Sequence, residues 1–440
     1  MAAPAPAHLA IVAPPLAGHV NALSALALAL IERGHRVTLL GPADAARWLS
    51  DPRVGFHAIA RDTHPEGAMR ADERRMGRLR GLLGVPRMIR DLAALTDAVC
   101  RDVPSAIEAL GIDALIVDQL EPGGALAARI AGVPYASVAT GLHVNREPAV
   151  PPPFVGWDYD PTERGEWKAR GAYRVADRLM APIGDVLERH ARAHGLPPVR
   201  DGADLLSPLA DILQCPRSLD FPRQALSGAT HHVGPLRRPD PRAMPELDGL
   251  GGDRPLAFAS LGTLQGAREG LLRRIARACA AEALDLVVVH CGLLDARRAA
   301  RLGERPPGSG TTIVRDFVPQ RAVLARADLA VVHGGFNTVL DALEARTRLV
   351  VMPLAFEQPA IAARVERAGV GRRLSAHASG TGTIRRAIRD VLDDEAMPGR
   401  LDAIARDIET AGGVERAADL VEAILSAEPV ARERPRAGAA

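Results

Sequence analysis

The segment DLAVVHGGFNTVLDALEA, residues 328–345, is the most informative part of this chain. Its first half is a short apolar run that predicts a buried strand, and Phe336–Ala345 has the spacing of a helix. The pair Gly334-Gly335 is therefore a strand-to-helix turn with little side-chain bulk. Free N–H groups at such a helix start face an anion, so the segment predicts a phosphate site at the edge of a parallel sheet.

Polar side chains around this turn offer the groups that a nucleoside diphosphate needs. His333 ends the predicted strand, and its ring can donate a hydrogen bond to a phosphate oxygen. Asn337 and Thr338 open the helix, where the positive end of the helix dipole favours negative charge. Asp341 lies one turn further on and can accept hydrogen bonds from ribose hydroxyls.

Two flanking segments extend the predicted site. The strand Arg348–Pro353 leads to Glu357 and Gln358, a carboxylate and an amide that suit the paired hydroxyls of a sugar. An apolar wall and an amide for a planar base lie upstream at Phe317, Val318 and Gln320. Each piece alone is typical of an ordinary βα turn or of solvated surface, so the prediction depends on their order and spacing.

The front of the chain carries a second candidate site. His8–Pro14 reads as a buried strand, and Gly18 and His19 follow it at the start of an alanine- and leucine-rich helix. Asp118 falls at the end of another predicted strand, Ile112–Leu120, where it can accept a hydrogen bond from His19. An imidazole oriented in this way can take a proton near neutral pH. Taken alone, His19 is equally typical of a helix start without chemistry.

Together these residues resemble the signature of family 1 glycosyltransferases. That signature has an aromatic residue before PQ, then HxG, an aromatic residue, N-[ST], an acid and finally DQ, with a His–Asp pair in the first half. Here Glu357 stands where the family usually has Asp, and Phe336 where plant members have Trp. The resemblance implies an α/β chain with the GT-B fold, in which two Rossmann-like domains face each other across a cleft. It also implies inverting transfer of a sugar without a metal or other cofactor.

The resemblance also assigns roles to individual residues. His19 would be the catalytic base and Asp118 its partner. Gln320 would hold uracil, Asp341 the ribose, and Glu357 and Gln358 the sugar. The implied donor-binding set is Gly18, Thr263, Phe317, Val318, Gln320, His333, Gly335, Phe336, Asn337, Thr338, Asp341, Glu357 and Gln358.

Segments outside the donor signature point to the acceptor. GLHVNREPAVPPP, residues 141–153, resembles the carotenoid-modifying members of the family. This implies UDP-glucose as co-substrate and a hydrophobic, hydroxylated acceptor such as zeaxanthin. The predicted acceptor-binding residues are His143, Asn145, Arg146, Met76, Leu83 and Met88.

Residues 62–92 are the least regular part of the first half. Between Arg70 and Arg90 the sequence has seven arginines and two acids, interleaved with apolar residues. One interpretation is a solvated pair of helices. The other is a basic amphipathic lid that makes a peripheral membrane contact and takes up an apolar acceptor, for which soft methionines are suited.

The predicted organisation is two βα-repeat domains joined by a segment rich in Pro, Gly and charge. We predict an N-terminal acceptor-binding domain over residues 1–236, a linker over 237–255 and a C-terminal nucleotide-sugar-binding domain over 256–425. The last helix is expected to cross back to the first domain, and residues 426–440 to form a disordered tail.

Composition excludes several other classes. The chain has 440 residues, 47% of them hydrophobic and 25% charged, and a net charge of +2 that argues against a nucleic-acid partner. Its four cysteines show no CxxC spacing, so neither a disulfide framework nor a zinc site is indicated, and a cytoplasmic location is expected. Alternative functions are transfer of another UDP- or TDP-sugar to a different lipid or polyketide, sugar-nucleotide epimerisation, and carotenoid binding without turnover.

Overall fold

The computed structural model describes residues 5–69, 84–238 and 250–426. Within these ranges the chain forms two α/β units, each built on one fully parallel sheet. Each strand of a parallel sheet needs a crossover to the next, and helices supply most of these crossovers. The predicted fold class of two Rossmann-like domains is confirmed.

The first sheet has seven strands in the order β3-β2-β1-β4-β5-β6-β7. In chain order they are β1 (His8–Val12), β2 (Arg36–Gly41), β3 (Gly55–Ala58), β4 (Ala114–Asp118), β5 (Tyr135–Ala139), β6 (Asp211–Leu213) and β7 (Thr230–His232). The strand order reverses between β1 and β4, which pair directly. In open α/β sheets, ligands bind beside the carboxyl ends of strands at such a switch point.

Among the described residues, four α-helices accompany this sheet. They are α1 (Ala17–Glu32), α2 (Gly84–Leu110), α3 (Pro122–Ala131) and α4 (Glu163–Ala193), with short 3-10 helices at Ala43–Trp48 and Gly202–Leu205. The start of α4 is fixed by Thr162, whose side chain accepts a hydrogen bond from the Gly165 N–H. Helix α3 ends at Gly132 in the left-handed conformation that glycine tolerates best.

The second sheet has six strands in the order β10-β9-β8-β11-β12-β13. They are β8 (Leu256–Ser260), β9 (Asp285–Val289), β10 (Thr312–Arg315), β11 (Leu329–Val332), β12 (Arg348–Val351) and β13 (Gly371–Arg373). The switch point lies between β8 and β11. The strand and the helix predicted on either side of Gly334-Gly335 both form.

The helices of the second half are α5 (Gly262–Gln265), α6 (Glu269–Ala281), α7 (Ala296–Gly303), α8 (Gln320–Leu324), α9 (Phe336–Glu344), α10 (Gln358–Arg367), α11 (Thr381–Leu392), α12 (Met397–Thr410) and α13 (Gly413–Leu425). Helix α13 packs against α1 of the first domain, and its apolar residues join the core around β1. Arg33, which follows α1, binds three acids of α13 at 2.7, 2.7 and 2.9 Å. The last helix therefore belongs structurally to the first domain.

A buried ion pair joins the two domains. Asp220, from the segment between β6 and β7, accepts from the Arg364 side chain of α10 at 2.8 Å, and each side chain is 2% exposed. Arg223 and His143 also bind Asp220, at 3.0 and 2.8 Å. Burial opposes ionisation of Asp220, but the His143 hydrogen bond and the two arginine charges outweigh it and hold its pKa well below the usual range. We call these four residues the Asp220 cluster.

Parts of the predicted organisation lie outside the described residues. They include residues 239–249 of the predicted linker and residues 427–440 of the predicted tail. The domain boundaries stay predictions. Within the described ranges, no helix is both long and apolar enough to cross a bilayer.

Candidate active site

The first half of the site is a histidine–aspartate pair at the switch point of the first sheet. His19 lies in the first turn of α1, after β1, and Asp118 ends β4. The His19 Nδ1 and Asp118 Oδ2 atoms are 2.8 Å apart, and Asp118 Oδ1 accepts from the Leu120 N–H at 2.9 Å. The Asp118 side chain is fully buried and that of His19 is 17% exposed. Because Nδ1 is held by the carboxylate, Nε2 is the ring nitrogen left to exchange a proton with a substrate.

Sequence reasoning missed a third member of this group. The Thr140 hydroxyl donates to Asp118 Oδ2 at 2.6 Å and lies 2.7 Å from His19 Nδ1. Thr140 directly follows β5, the strand next to β4 in the sheet. The sequence did contain a signal for it: Thr140 carries a hydroxyl group and follows a strand that neighbours the strand ending at Asp118.

The surroundings of His19 favour its protonated form. Burial alone would lower its pKa, but the negative charge of Asp118 and its hydrogen bond raise the pKa above the ordinary value of 6.5, with a smaller contribution from Glu357. An imidazole in this setting is a stronger base than a free one. The arrangement can therefore take a proton from a hydroxyl group and stabilise the resulting imidazolium.

Glu357 reaches across the cleft from the second domain. Its Oε2 atom accepts from the Leu142 N–H at 3.0 Å. A Cβ added at Gly141 would lie 2.5 Å from the same oxygen, so a larger residue there would displace the Glu357 carboxylate. Burial raises the pKa of Glu357. Gln358 is instead part of its own loop, where Oε1 accepts from the N–H groups of Leu354 and Ala355 at 2.9 Å.

His333 lies at the second switch point, between two glycine turns. A Cβ added at Gly262 or Gly335 would lie 2.6 or 2.5 Å from its Nε2 atom, so the backbone approaches the ring closely on both sides. Burial lowers the pKa of His333 to about 4, so the ring is neutral at pH 7. Its buried Nδ1 atom has no hydrogen-bond partner among the described residues.

The start of α9 touches the first domain. Gly334 has a φ of 86°, and an added Cβ would lie 2.9 Å from a Val351 methyl carbon, so glycine is required there. The Asn337 Nδ2 atom donates to the Gly18 carbonyl at 2.8 Å, which brings these two predicted residues together across the cleft. Thr263 is exposed at the start of α5.

The residues predicted to hold the uracil ring and the ribose form one hydrogen-bonded group. Asp341 Oδ2 accepts from Gln320 Nε2 at 2.7 Å, and the Thr338 hydroxyl donates to Gln320 Oε1 at 3.3 Å. Phe317 is exposed, so its ring is accessible to a planar base, whereas Val318 and Phe336 are buried in the second core. The individual donor contacts of these residues stay predictions.

Arg237 is a second residue that sequence reasoning missed. Its Nε atom donates to Asp341 Oδ1 at 2.8 Å, and one terminal nitrogen donates to Asn337 Oδ1 at 3.0 Å. The sequence placed Arg237 at the first position of the linker. Nothing in the local pattern distinguishes it from other surface arginines, because its position depends on how the two domains meet.

The residues predicted for the acceptor have intramolecular partners. His143 is buried, and its ring nitrogens lie 2.9 Å from Asn145 Oδ1 and 2.8 Å from Asp220 Oδ2. Arg146 binds Asp177 of α4 at 2.6 and 3.0 Å. Met88 is half-buried on α2. Contact of these residues with an acceptor therefore stays a prediction, and for His143 no ring nitrogen is free to make it.

The central part of the predicted membrane lid, residues 70–83, lies outside the described residues. It includes Met76, Leu83 and most of the arginines of the 62–92 segment. Within the parts of the chain that the structure describes, no group of three or more His, Cys, Asp or Glu side chains could hold a metal ion. The expectation of metal-independent chemistry remains a prediction.

Comparison with known proteins identifies the family. The family model described as UDP-glucoronosyl and UDP-glucosyl transferase matches residues 198–412. A zeaxanthin glucosyltransferase of Pseudescherichia vulneris is 41% identical over 425 residues, which cover 96% of this chain and 99% of the relative. The chain belongs to this glycosyltransferase family. The resemblance inferred from the HGG turn and the His19–Asp118 pair is thereby confirmed.

Other relatives agree with this family assignment. A zeaxanthin glucosyltransferase of Pantoea ananas is 37% identical, over 96% of this chain and 97% of the relative. Among solved structures, the calicheamicin glycosyltransferase has a TM-score of 0.74 at 24% identity and covers 96% of this chain and 98% of its own. This structural likeness supports the GT-B fold. As a family 1 glycosyltransferase, the chain is an enzyme that transfers a sugar from a nucleotide sugar to an acceptor.

Proposed function

We propose that this glycosyltransferase moves glucose from UDP-glucose to a hydroxyl group of zeaxanthin, giving a carotenoid β-glucoside or diglucoside. The choice of substrates is supported by two relatives that bear the name zeaxanthin glucosyltransferase and match over nearly the whole chain. The observation that carries the chemistry is the His19–Asp118 pair, which lies across the cleft from the glycine turns and the start of α9.

In the proposed reaction, His19 Nε2 removes the proton of the acceptor hydroxyl as its oxygen attacks the anomeric carbon of glucose. The bond between that carbon and the diphosphate oxygen breaks on the opposite side, so the anomeric configuration inverts and UDP leaves. The proton remains on His19, where the Asp118 carboxylate stabilises the imidazolium. The negative charge that develops on UDP is met by the neutral His333 ring and by the N–H groups at the start of α9. No metal ion is needed for this step.

Direct product analysis tests the proposal. The purified protein is incubated with UDP-glucose and zeaxanthin, and products are weighed by mass spectrometry while UDP release is followed. A carotene without hydroxyl groups serves as the negative acceptor control. We expect glucosylated zeaxanthin and stoichiometric UDP. Transfer to a polyketide but not to zeaxanthin would favour the alternative acceptor class, and acceptor binding without any UDP release would favour a carotenoid-binding protein.

The contact between His333 and the diphosphate leads to a prediction on donor binding. A hydrogen bond from a neutral ring to a charged oxygen contributes about 1.5–3 kcal/mol, so His333→Ala should weaken UDP binding by that amount in calorimetric titrations. Binding of uridine, which has no phosphate, should be unchanged and serves as the control. Equal UDP affinity in variant and wild type would remove His333 from the diphosphate site.

Arg237 leads to a prediction on the ribose. If Arg237 orients Asp341 toward the ribose hydroxyls, Arg237→Gln should weaken UDP about tenfold and 2′-deoxy-UDP much less, because the latter lacks one of the hydroxyls. The matched control is Arg321→Gln, because Arg321 also binds an acid of α9, the helix that carries Asp341: it lies 3.1 Å from Glu344. Equal losses for both nucleotides in the Arg237 variant would show that Arg237 does not act through the ribose.

A further inference from the structure

Helix α4 has an outer face that combines exposed apolar side chains with positive charge. Trp167 is 74% exposed, Val175 61% and Leu179 46%. With about 100° of rotation per residue, these three side chains and four cations share an arc of about 140° on the helix. The face, which we call the α4 face, consists of Arg164, Trp167, Lys168, Arg174, Val175, Arg178 and Leu179, all of them exposed.

The acidic side chains on this part of α4 lie beside the arc, together with the exposed Arg170. Between residues 163 and 180, the acids Glu163, Glu166 and Asp177 fall outside the arc, and Asp177 is neutralised by Arg146. The buried residues Gly165, Ala169 and Ala176 lie on the opposite side and pack the helix on its domain. The α4 face therefore has four positive charges and no negative charge.

Asp160, just before α4, attracts Arg164 and Lys168 electrostatically. Among the ion pairs between described residues, none involves Arg174 or Arg178. The Lys168 Nζ atom lies 4.1 Å from the centre of the Trp157 ring. Large exposed apolar side chains grouped in one place are typical of interaction surfaces.

We propose that the α4 face docks on the headgroup region of an anionic lipid bilayer. A tryptophan with aliphatic neighbours, bordered by arginine and lysine, is the composition of helices that lie in the membrane interface. The positive charges would be attracted to anionic lipid, and the apolar side chains would enter the boundary with the acyl chains. Symmetric pairing of two copies through this face would bring eight positive charges together, which disfavours a dimer as the occupant.

The segment before α4 lies against the second domain, where Arg373 donates to the Gly156 carbonyl at 2.5 Å. Gly156 also lies against Pro359, the residue after Gln358. Docking through α4 would thus bring the rim of the cleft toward the bilayer. Delivery of a membrane-dissolved acceptor rests on the proposed function, whereas docking itself does not.

Vesicle binding without donor or acceptor tests the docking separately from the reaction. The protein is floated with phosphatidylcholine vesicles with and without phosphatidylglycerol at low salt. The test variant is Arg164→Gln/Arg174→Gln/Arg178→Gln. The control is Arg277→Gln/Arg297→Gln/Arg386→Gln, which removes the same charge from exposed arginines of the second domain. A second variant, Trp167→Ser, tests the apolar part, and thermal unfolding verifies that every variant is folded.

We expect the wild type to bind anionic vesicles. The affinity should fall about a hundredfold in the test variant, because each of the three cations contributes about fivefold. The loss of affinity should be much smaller in the control variant. Trp167→Ser should also weaken binding. The proposal is overturned if the wild type does not bind anionic vesicles, if it binds neutral ones equally well, or if test and control variants lose the same affinity. A wild-type dimer that Trp167→Ser converts to a monomer would overturn it in favour of self-association.

Discussion

Replacing His19 by alanine should lower turnover by a factor of about 10²–10⁴, because the variant lacks the group that takes the acceptor proton. UDP affinity should remain nearly unchanged, since the predicted donor contacts lie mainly in the second domain. Steady-state rates and calorimetric UDP titrations measure the two effects separately. His377→Ala, at an exposed histidine of the second domain, is the control and should retain full turnover. Near-normal turnover of His19→Ala would exclude His19 as the base.

The pH dependence of the reaction is a second test of His19 as the catalytic base. Since Asp118 raises the pKa of His19, the acidic limb of kcat/KM should lie above pH 6.5 in the wild type. Asp118→Asn removes the negative charge, so it should lower both the rate and the pKa of this limb. A limb that does not move in the Asp118 variant would show that another group titrates.

The Asp220 cluster leads to the largest expected effect on stability. Asp220→Asn should lower the free energy of unfolding by about 3–5 kcal/mol, because it leaves the buried Arg364 guanidinium without its negative partner. Urea unfolding of the variant measures this loss. The matched control is Asp158→Asn, which removes an exposed ion pair that also joins the domains through Arg373, at 3.1 Å. That substitution should change the stability by about 1 kcal/mol or less.

The contribution of Asp220 also depends on pH. Its pKa in the folded protein is depressed, so its stabilisation is complete above the unfolded pKa of about 4 and is lost as the pH falls through the lower folded value. In the wild type we expect an acid-induced loss of stability that Asp220→Asn largely lacks. An Asp220 variant as stable as the wild type at pH 7 would show that the Asp220 charge does not stabilise the folded protein.

Much of the fold and the pairing of His19 with Asp118 could be predicted from local sequence. Apolar runs followed by glycine identified the strands that end at Val12 and Val332. Parallel strands bring their carboxyl ends to one edge, so His19 and Asp118, 99 positions apart, could be expected to meet. The same logic would have found Thr140, which ends the neighbouring strand.

Contacts between the domains could not be predicted in this way. Arg237 binds Asp341, Glu357 binds the Leu142 N–H, and Arg364 binds Asp220, each across more than one hundred residues. These pairs depend on the orientation of one sheet relative to the other. No periodicity or turn signal in the sequence encodes this orientation. Phe336 was expected at the donor from its place in the motif, yet its side chain packs in the second core.

The return of α13 to the first domain has a consequence for recombining this enzyme with its relatives. A chimera joined once, near residues 239–249, would combine α1 from one parent with α13 from the other. Arg33 would then face foreign residues in place of Glu415, Asp419 and Glu422, and the apolar contact of α13 with α1 would be mismatched. Exchange of donor specificity between relatives therefore calls for two crossover points, with the second one near Gly412. With that design α13 and α1 come from the same parent.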